Sequence, residues 1–200
     1  MNSKINPKSL PKFIFFLFAV QLLSAEILAQ PWLIERSEWR STDSLVASHK
    51  HTIEYITIHH GGEIFEDDKD TYSYLKNLQN WSRSFRKWMD VPYHYIIDRK
   101  GKIFEGRPLY YRGDTNTSYD PTGHALIVLL GNFEEQEVRP EQISSLKIVT
   151  EYLSEKESVS SSKIKTHKDY TETLCPGRAL TEYLATEDWQ DFLKEIDQQE

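Results

Sequence analysis

Glu54-Tyr55-Ile56-Thr57-Ile58-His59-His60-Gly61-Gly62 decides how the rest of the chain is read. Its β-branched and aromatic residues suit a strand over Glu54–His59, and the paired glycines suit a sharp loop after it. Period two puts His59 on the face of Tyr55 and Thr57, and His60 on the face of Ile56 and Ile58. His60 therefore reads as a packed histidine with one satisfied hydrogen bond, and His59 as the better ligand candidate. Alternation alone leaves open which face carries a site.

Working outward, Leu75, Leu78, Trp81, Phe85 and Trp88 fall three or four residues apart between Asp70 and Trp88. That spacing predicts an amphipathic helix facing a core. Pro92 breaks it, and Tyr93–Asp98 reads as a strand that turns through Arg99-Lys100-Gly101-Lys102 into a second strand, Ile103–Glu105. Ala125–Leu130 is an apolar run of strand length, suited to burial on both faces. Pro140 suits the first position of a helix running through Leu146, Val149, Tyr152 and Leu153. Ser158 to Ser162 is a polar loop, and a last helix is expected from Pro176 through Leu180 and Leu184. Before the first strand, Pro31 to His51 is a lead-in with apolar anchors at Trp32, Leu33, Ile34 and Trp39. Strands interleaved with helices predict one α/β domain with a mixed central sheet flanked by helices.

The totals exclude some functions. A chain of 200 residues has room for one full-sized core. A net charge of −7 offers no footprint for nucleic acid. At the N-terminus, Lys4, Lys8 and Lys12 precede an apolar run, Phe13 to Leu23, followed by small residues at Ser24, Ala25 and Ala29. This is the layout of a secretory signal peptide over residues 1–29, too short for a spanning helix. The expected protein is thus secreted or periplasmic, with no stable membrane insertion after cleavage, and a monomer. Cys175 is the only cysteine, so no intramolecular disulfide can form. A lone thiol in an oxidising compartment calls for a partner chain or a metal.

The surroundings of Cys175 favour the metal. It precedes Pro176, at an expected helix N-terminus where a thiolate is favoured. His167 lies eight residues earlier, and imidazole with thiolate is a typical zinc pair. His59, at a strand end, is the candidate third ligand. Three protein ligands with one open position make a catalytic zinc site; a structural one is normally closed by four. His49 and His51 read as solvated, His94 as a core or supporting histidine, and His124 carries no assignment.

In order along the chain come Arg36-Ser37-Glu38-Trp39, Ile56-Thr57-Ile58-His59-His60 and Val91-Pro92-Tyr93-His94-Tyr95-Ile96-Ile97-Asp98. Then follow Ile103-Phe104-Glu105-Gly106-Arg107, Leu130-Gly131-Asn132-Phe133, and His167-Lys168-Asp169-Tyr170-Thr171-Glu172-Thr173-Leu174-Cys175-Pro176-Gly177. This series resembles the peptidoglycan recognition proteins and related N-acetylmuramoyl-L-alanine amidases of the type-2 amidase fold, over roughly Arg36 to Leu184.

The resemblance implies an amidase domain over residues 30–200 with its core at about 36–185. It implies Zn2+ held by His59, His167 and Cys175, catalytic roles for Tyr93 and Thr173, and a peptidoglycan or muropeptide substrate cut between the lactyl group of N-acetylmuramic acid and L-alanine. Relatives that recycle muropeptides carry a Glu base at the position of Val128 here, which places this chain with the recognition-protein branch. The stretch Arg112 to His124 is more polar than the resemblance leads one to expect. A non-catalytic peptidoglycan-binding module and a thiol-linked dimer are the rival readings. The retained Cys175, with Tyr93 and Thr173, argues against the binding module, and the dimer leaves Tyr93 and Thr173 unexplained.

Overall fold

β-Branched and aromatic residues form six strands in the order β1-β4-β3-β5-β2-β6 in the computed structural model, which describes residues 30–43 and 45–198. The strands are β1 (Leu33–Ile34), β2 (Tyr55–His60), β3 (Tyr95–Ile97), β4 (Ile103–Glu105), β5 (His124–Leu129) and β6 (Ile164–Thr166). β5 pairs in parallel with both β2 and β3, β6 adds in parallel to the other side of β2, and β3 and β4 form the antiparallel hairpin. All six residues of β5 are buried, as expected for a strand covered on both faces. The signal sequence expected over residues 1–29 lies outside the described residues. Among the described residues, no helix is long and apolar enough to cross a membrane.

Alternation along the strands builds two cores. Ile56 and Ile58 of β2 join Ile127 and Leu129 of β5 on the face covered by α2 (Pro140–Glu157), α3 (Arg178–Leu184) and α4 (Glu187–Gln198). α4 seals this layer with Trp189, Phe192 and Ile196. On the opposite face Val128, Ile96 and Phe104 pack against Trp39 and against Leu75 of α1 (Thr71–Ser84). Asp70 starts α1 by accepting the Tyr72 and Ser73 backbone N–H groups, a cap worth about 1 kcal/mol. Pro140 opens α2 as expected.

The helix over Asp70 to Trp88 is shorter than its spacing predicts. It ends at Ser84, and Lys87 turns the chain away with φ +61°. Leu75 is buried, but Trp81 is 43% and Phe85 is 73% exposed, so these two rings do not serve the core. The inward face of the helix is polar there. Gln79 Nε2 donates to Asp90 Oδ1 at 2.8 Å, and Arg36 Nη2 donates to Asp90 Oδ2 at 2.7 Å. A buried carboxylate paired to an arginine of the lead-in takes the place the aromatic stripe was expected to fill. Removing one partner of such a pair costs about 3–5 kcal/mol.

Candidate metal site and active-site cavity

The carboxyl ends of parallel strands in an open α/β sheet are where ligands bind, because the chain leaves the sheet there and opens a crevice. His59 is the penultimate residue of β2, and His167 follows the last residue of the adjacent β6. Cys175 arrives from the loop before α3. One ligand atom from each of His59, His167 and Cys175 lies within 4.8 Å of the others. His59 Nδ1 is 3.7 Å from Cys175 Sγ, and the rings of His59 and His167 are 4.5 Å apart. All three residues are buried, and His59 Nε2 has no hydrogen-bond partner. Convergent soft and borderline donors with an unsatisfied ring nitrogen fit a metal ion better than a packed core.

Burial sets the protonation of these groups. It drives the His59 imidazole well below its ordinary value, with His167 adding to the effect, and it lowers His167 to about 4. Both rings are therefore neutral at pH 7, with a lone pair to offer. The thiol goes the other way from the sequence expectation: burial pushes Cys175 up to about 12. The helix expected from Pro176 is α3, which starts at Arg178, is seven residues long and is followed by α4, so little dipole reaches the sulfur. Among the described residues the one backbone donor to Sγ is the His60 N–H, at 3.4 Å. A cation must displace the thiol proton to bind here. Gly177 makes the turn after Cys175 possible: its φ is +92°, and a Cβ there would fall 2.7 Å from the Phe133 carbonyl carbon.

A cavity of about 450 Å³ opens over the cluster and is lined by His59, His167, Cys175, Tyr93, Thr173 and Trp88 among others. Tyr93 brings its ring 5.4 Å from that of His59. Burial, followed by the Cys175 charge, pushes its phenol above the ordinary range, so it stays protonated and keeps a proton to donate. Thr173 Oγ1 accepts the Cys175 backbone N–H at 3.2 Å, which fixes the approach of the sulfur. Val128 stands opposite His59 in the β2–β5 register and is fully buried, so no carboxylate flanks His59 from the central strand.

The remaining histidines sort by their partners. His60 packs away from the cluster, accepting the Phe133 N–H on Nδ1 at 3.3 Å, as its strand face predicts. His94 accepts the Leu126 N–H on Nδ1 and donates from Nε2 to the Tyr111 carbonyl, a structural histidine held down to about 3 by burial. His51 is not solvated as expected. It accepts the Gly123 N–H and donates to the Leu109 carbonyl, joining the lead-in to the loop before β5. His124 is bonded to Thr57 Oγ1 at 2.8 Å and stacked on Tyr55. Sequence reasoning missed the residues that surround His167: Tyr119, with its ring 5.2 Å away, and Thr117, with its hydroxyl 2.8 Å from Nε2. They lie in the polar stretch Arg112 to His124, whose unusual composition was the one available signal.

A mixed sheet with two histidines at neighbouring parallel strand ends and a cysteine delivered beside them defines an α/β domain with a His-His-Cys cavity. The chain belongs to the N-acetylmuramoyl-L-alanine amidase family, which it matches over residues 49–178. It is 27% identical over 184 residues to peptidoglycan-recognition protein SD of Drosophila simulans, covering 90% of this chain and 97% of that protein. It is 29% identical over 182 residues to peptidoglycan recognition protein 1 of Mus musculus, covering 88% and 98%. Its structure is similar to N-acetylmuramoyl-L-alanine amidase LysC from Clostridium intestinale, with a TM-score of 0.64 and 26% identity over 78% of this chain and 97% of that one. Its relatives thus include proteins named as amidases and proteins named for recognition.

Proposed function

We propose that this protein is a zinc-dependent amidase that hydrolyses the bond between the lactyl carbonyl of N-acetylmuramic acid and L-alanine in peptidoglycan. The observation that carries the reading is the approach of His59, His167 and Cys175 to within 4.8 Å at the floor of an open cavity. Zinc held there supplies Lewis acidity for the scissile carbonyl and makes water nucleophilic near neutral pH. Three protein ligands leave one position for chemistry.

The chain's own groups do the rest. Tyr93, protonated at neutral pH, donates a hydrogen bond to the oxygen on which negative charge develops. Thr173 holds the Cys175 backbone and orients what enters the cavity. With Val128 in place of a carboxylate beside His59, no strand-borne general base takes part. The expected leader over residues 1–29 would carry the enzyme to the periplasm or the medium, where this substrate lies.

Digestion of purified peptidoglycan by the protein, with and without a zinc chelator, tests the reading by mass spectrometry of the fragments. Free stem peptides beginning with L-alanine, lost on chelation and restored by zinc, are the expected result. Intact glycopeptide from zinc-loaded protein would overturn it in favour of a peptidoglycan-binding module.

A further inference from the structure

The loop from Asp114 to Tyr119 is fastened at both ends. Asp114 pairs with the buried Arg107, and the Tyr119 ring stacks on Tyr170 with centroids 5.4 Å apart. Between these anchors the loop presents two hydroxyls to His167. Thr117 Oγ1 lies 2.8 Å from His167 Nε2, and Thr115 Oγ1 lies 3.4 Å from the same nitrogen and 2.9 Å from Thr117 Oγ1. Thr115 Oγ1 also accepts the Thr117 backbone N–H at 3.2 Å.

Either hydroxyl can donate to the other, so the threonine pair alone does not order the protons. The ring does: Nε2 is engaged by Thr117 Oγ1 at 2.8 Å, which leaves Nδ1 for a metal ion, and a neutral imidazole that offers its Nδ1 lone pair carries its proton on Nε2. His167 then donates to Thr117 Oγ1, whose own proton passes to Thr115 Oγ1. We infer that Thr117, braced by Thr115, is a positioning residue that fixes His167 in its Nε2–H tautomer and leaves Nδ1 as the nitrogen offered to a metal ion. A hydrogen-bonded partner on the second ring nitrogen orients a metal-binding histidine and raises its basicity.

This inference rests on the zinc reading above, and its test separates the two. Zinc affinity is measured on the full protein by competition with a chromophoric chelator, for wild type, Thr117→Val and Thr117→Ser. Valine keeps the shape and removes the hydroxyl, so its affinity should fall about 10- to 100-fold; serine keeps the hydroxyl and should restore it. Nitrogen-15 NMR of the metal-free wild type should show His167 protonated on Nε2, a readout that needs no variant to fold. Equal zinc affinity in wild type and Thr117→Val, or a proton on Nδ1, would overturn the inference and leave the zinc site standing. Wild type that takes up no zinc would overturn both.

Discussion

Cys175 Sγ takes a hydrogen bond from the His60 backbone nitrogen at 3.4 Å, so the strand that presents His59 also steadies the sulfur that faces it. Residues 115 apart in the sequence meet at that bond. A serine in place of Cys175 would keep the acceptor but lose the soft, ionisable donor that zinc prefers. Cys175→Ser should lose its zinc by metal analysis and at least about 100-fold in peptidoglycan cleavage, with its fold retained by circular dichroism. Normal zinc content in that protein would remove Cys175 from the ligand set.

Tyr93 is expected to act on the reaction and not on the metal. Tyr93→Phe removes a donor from a cavity wall without touching the cluster. Turnover should fall on the order of 100-fold, the usual cost of one oxyanion donor, while zinc affinity stays at the wild-type level. A variant with full turnover would assign the oxyanion to another group.

His94 predicts a pH dependence of stability. Burial lowers it to about 3, while the unfolded chain titrates near the ordinary 6.5. Below 6.5 the unfolded state binds a proton that the folded state refuses, so this histidine's contribution is complete above 6.5. It is lost as pH falls towards 3. The slope it adds is about 1.4 kcal/mol per pH unit within that window. Urea unfolding of His94→Gln between pH 4 and 6 should show a shallower slope by roughly that amount; an unchanged slope would mean that His94 is not held neutral.

Leu75 of α1 and Phe85, the residue just past its end, separate core from surface. Leu75→Ala should cost about 2–5 kcal/mol in denaturant unfolding, because Leu75 is fully buried. Phe85→Ala should change stability by no more than about 0.5 kcal/mol, since most of that ring already faces water. Similar costs for both would restore the longer amphipathic helix.

The sheet was legible where one residue pattern had one outcome. The β2 alternation separated His59 from His60, and the apolar run before Gly131 suited the strand covered on both sides that it forms. The convergence of His59, His167 and Cys175 followed from chemistry and family resemblance together. α1 misled because an aromatic stripe at helical spacing looks the same whether it faces a core or a cavity. The polar residues that decide the matter, Asp90 and Arg36, lie elsewhere in the chain. β6 was missed because Ile164-Lys165-Thr166 is too short to show a period, and its strand character comes from pairing with β2. Thr117 could not be read in advance, since its role depends on where a loop folds back.

β6 is a three-residue strand at the open edge of the sheet, held by β2 alone, and His167 follows it directly. An ion bridging His59 and His167 would therefore act as a latch across an edge seam of the sheet. Such a ligand stabilises only the state in which both histidines are in place. Hydrogen exchange at residues 164–170 should then slow selectively once zinc is added to the stripped protein.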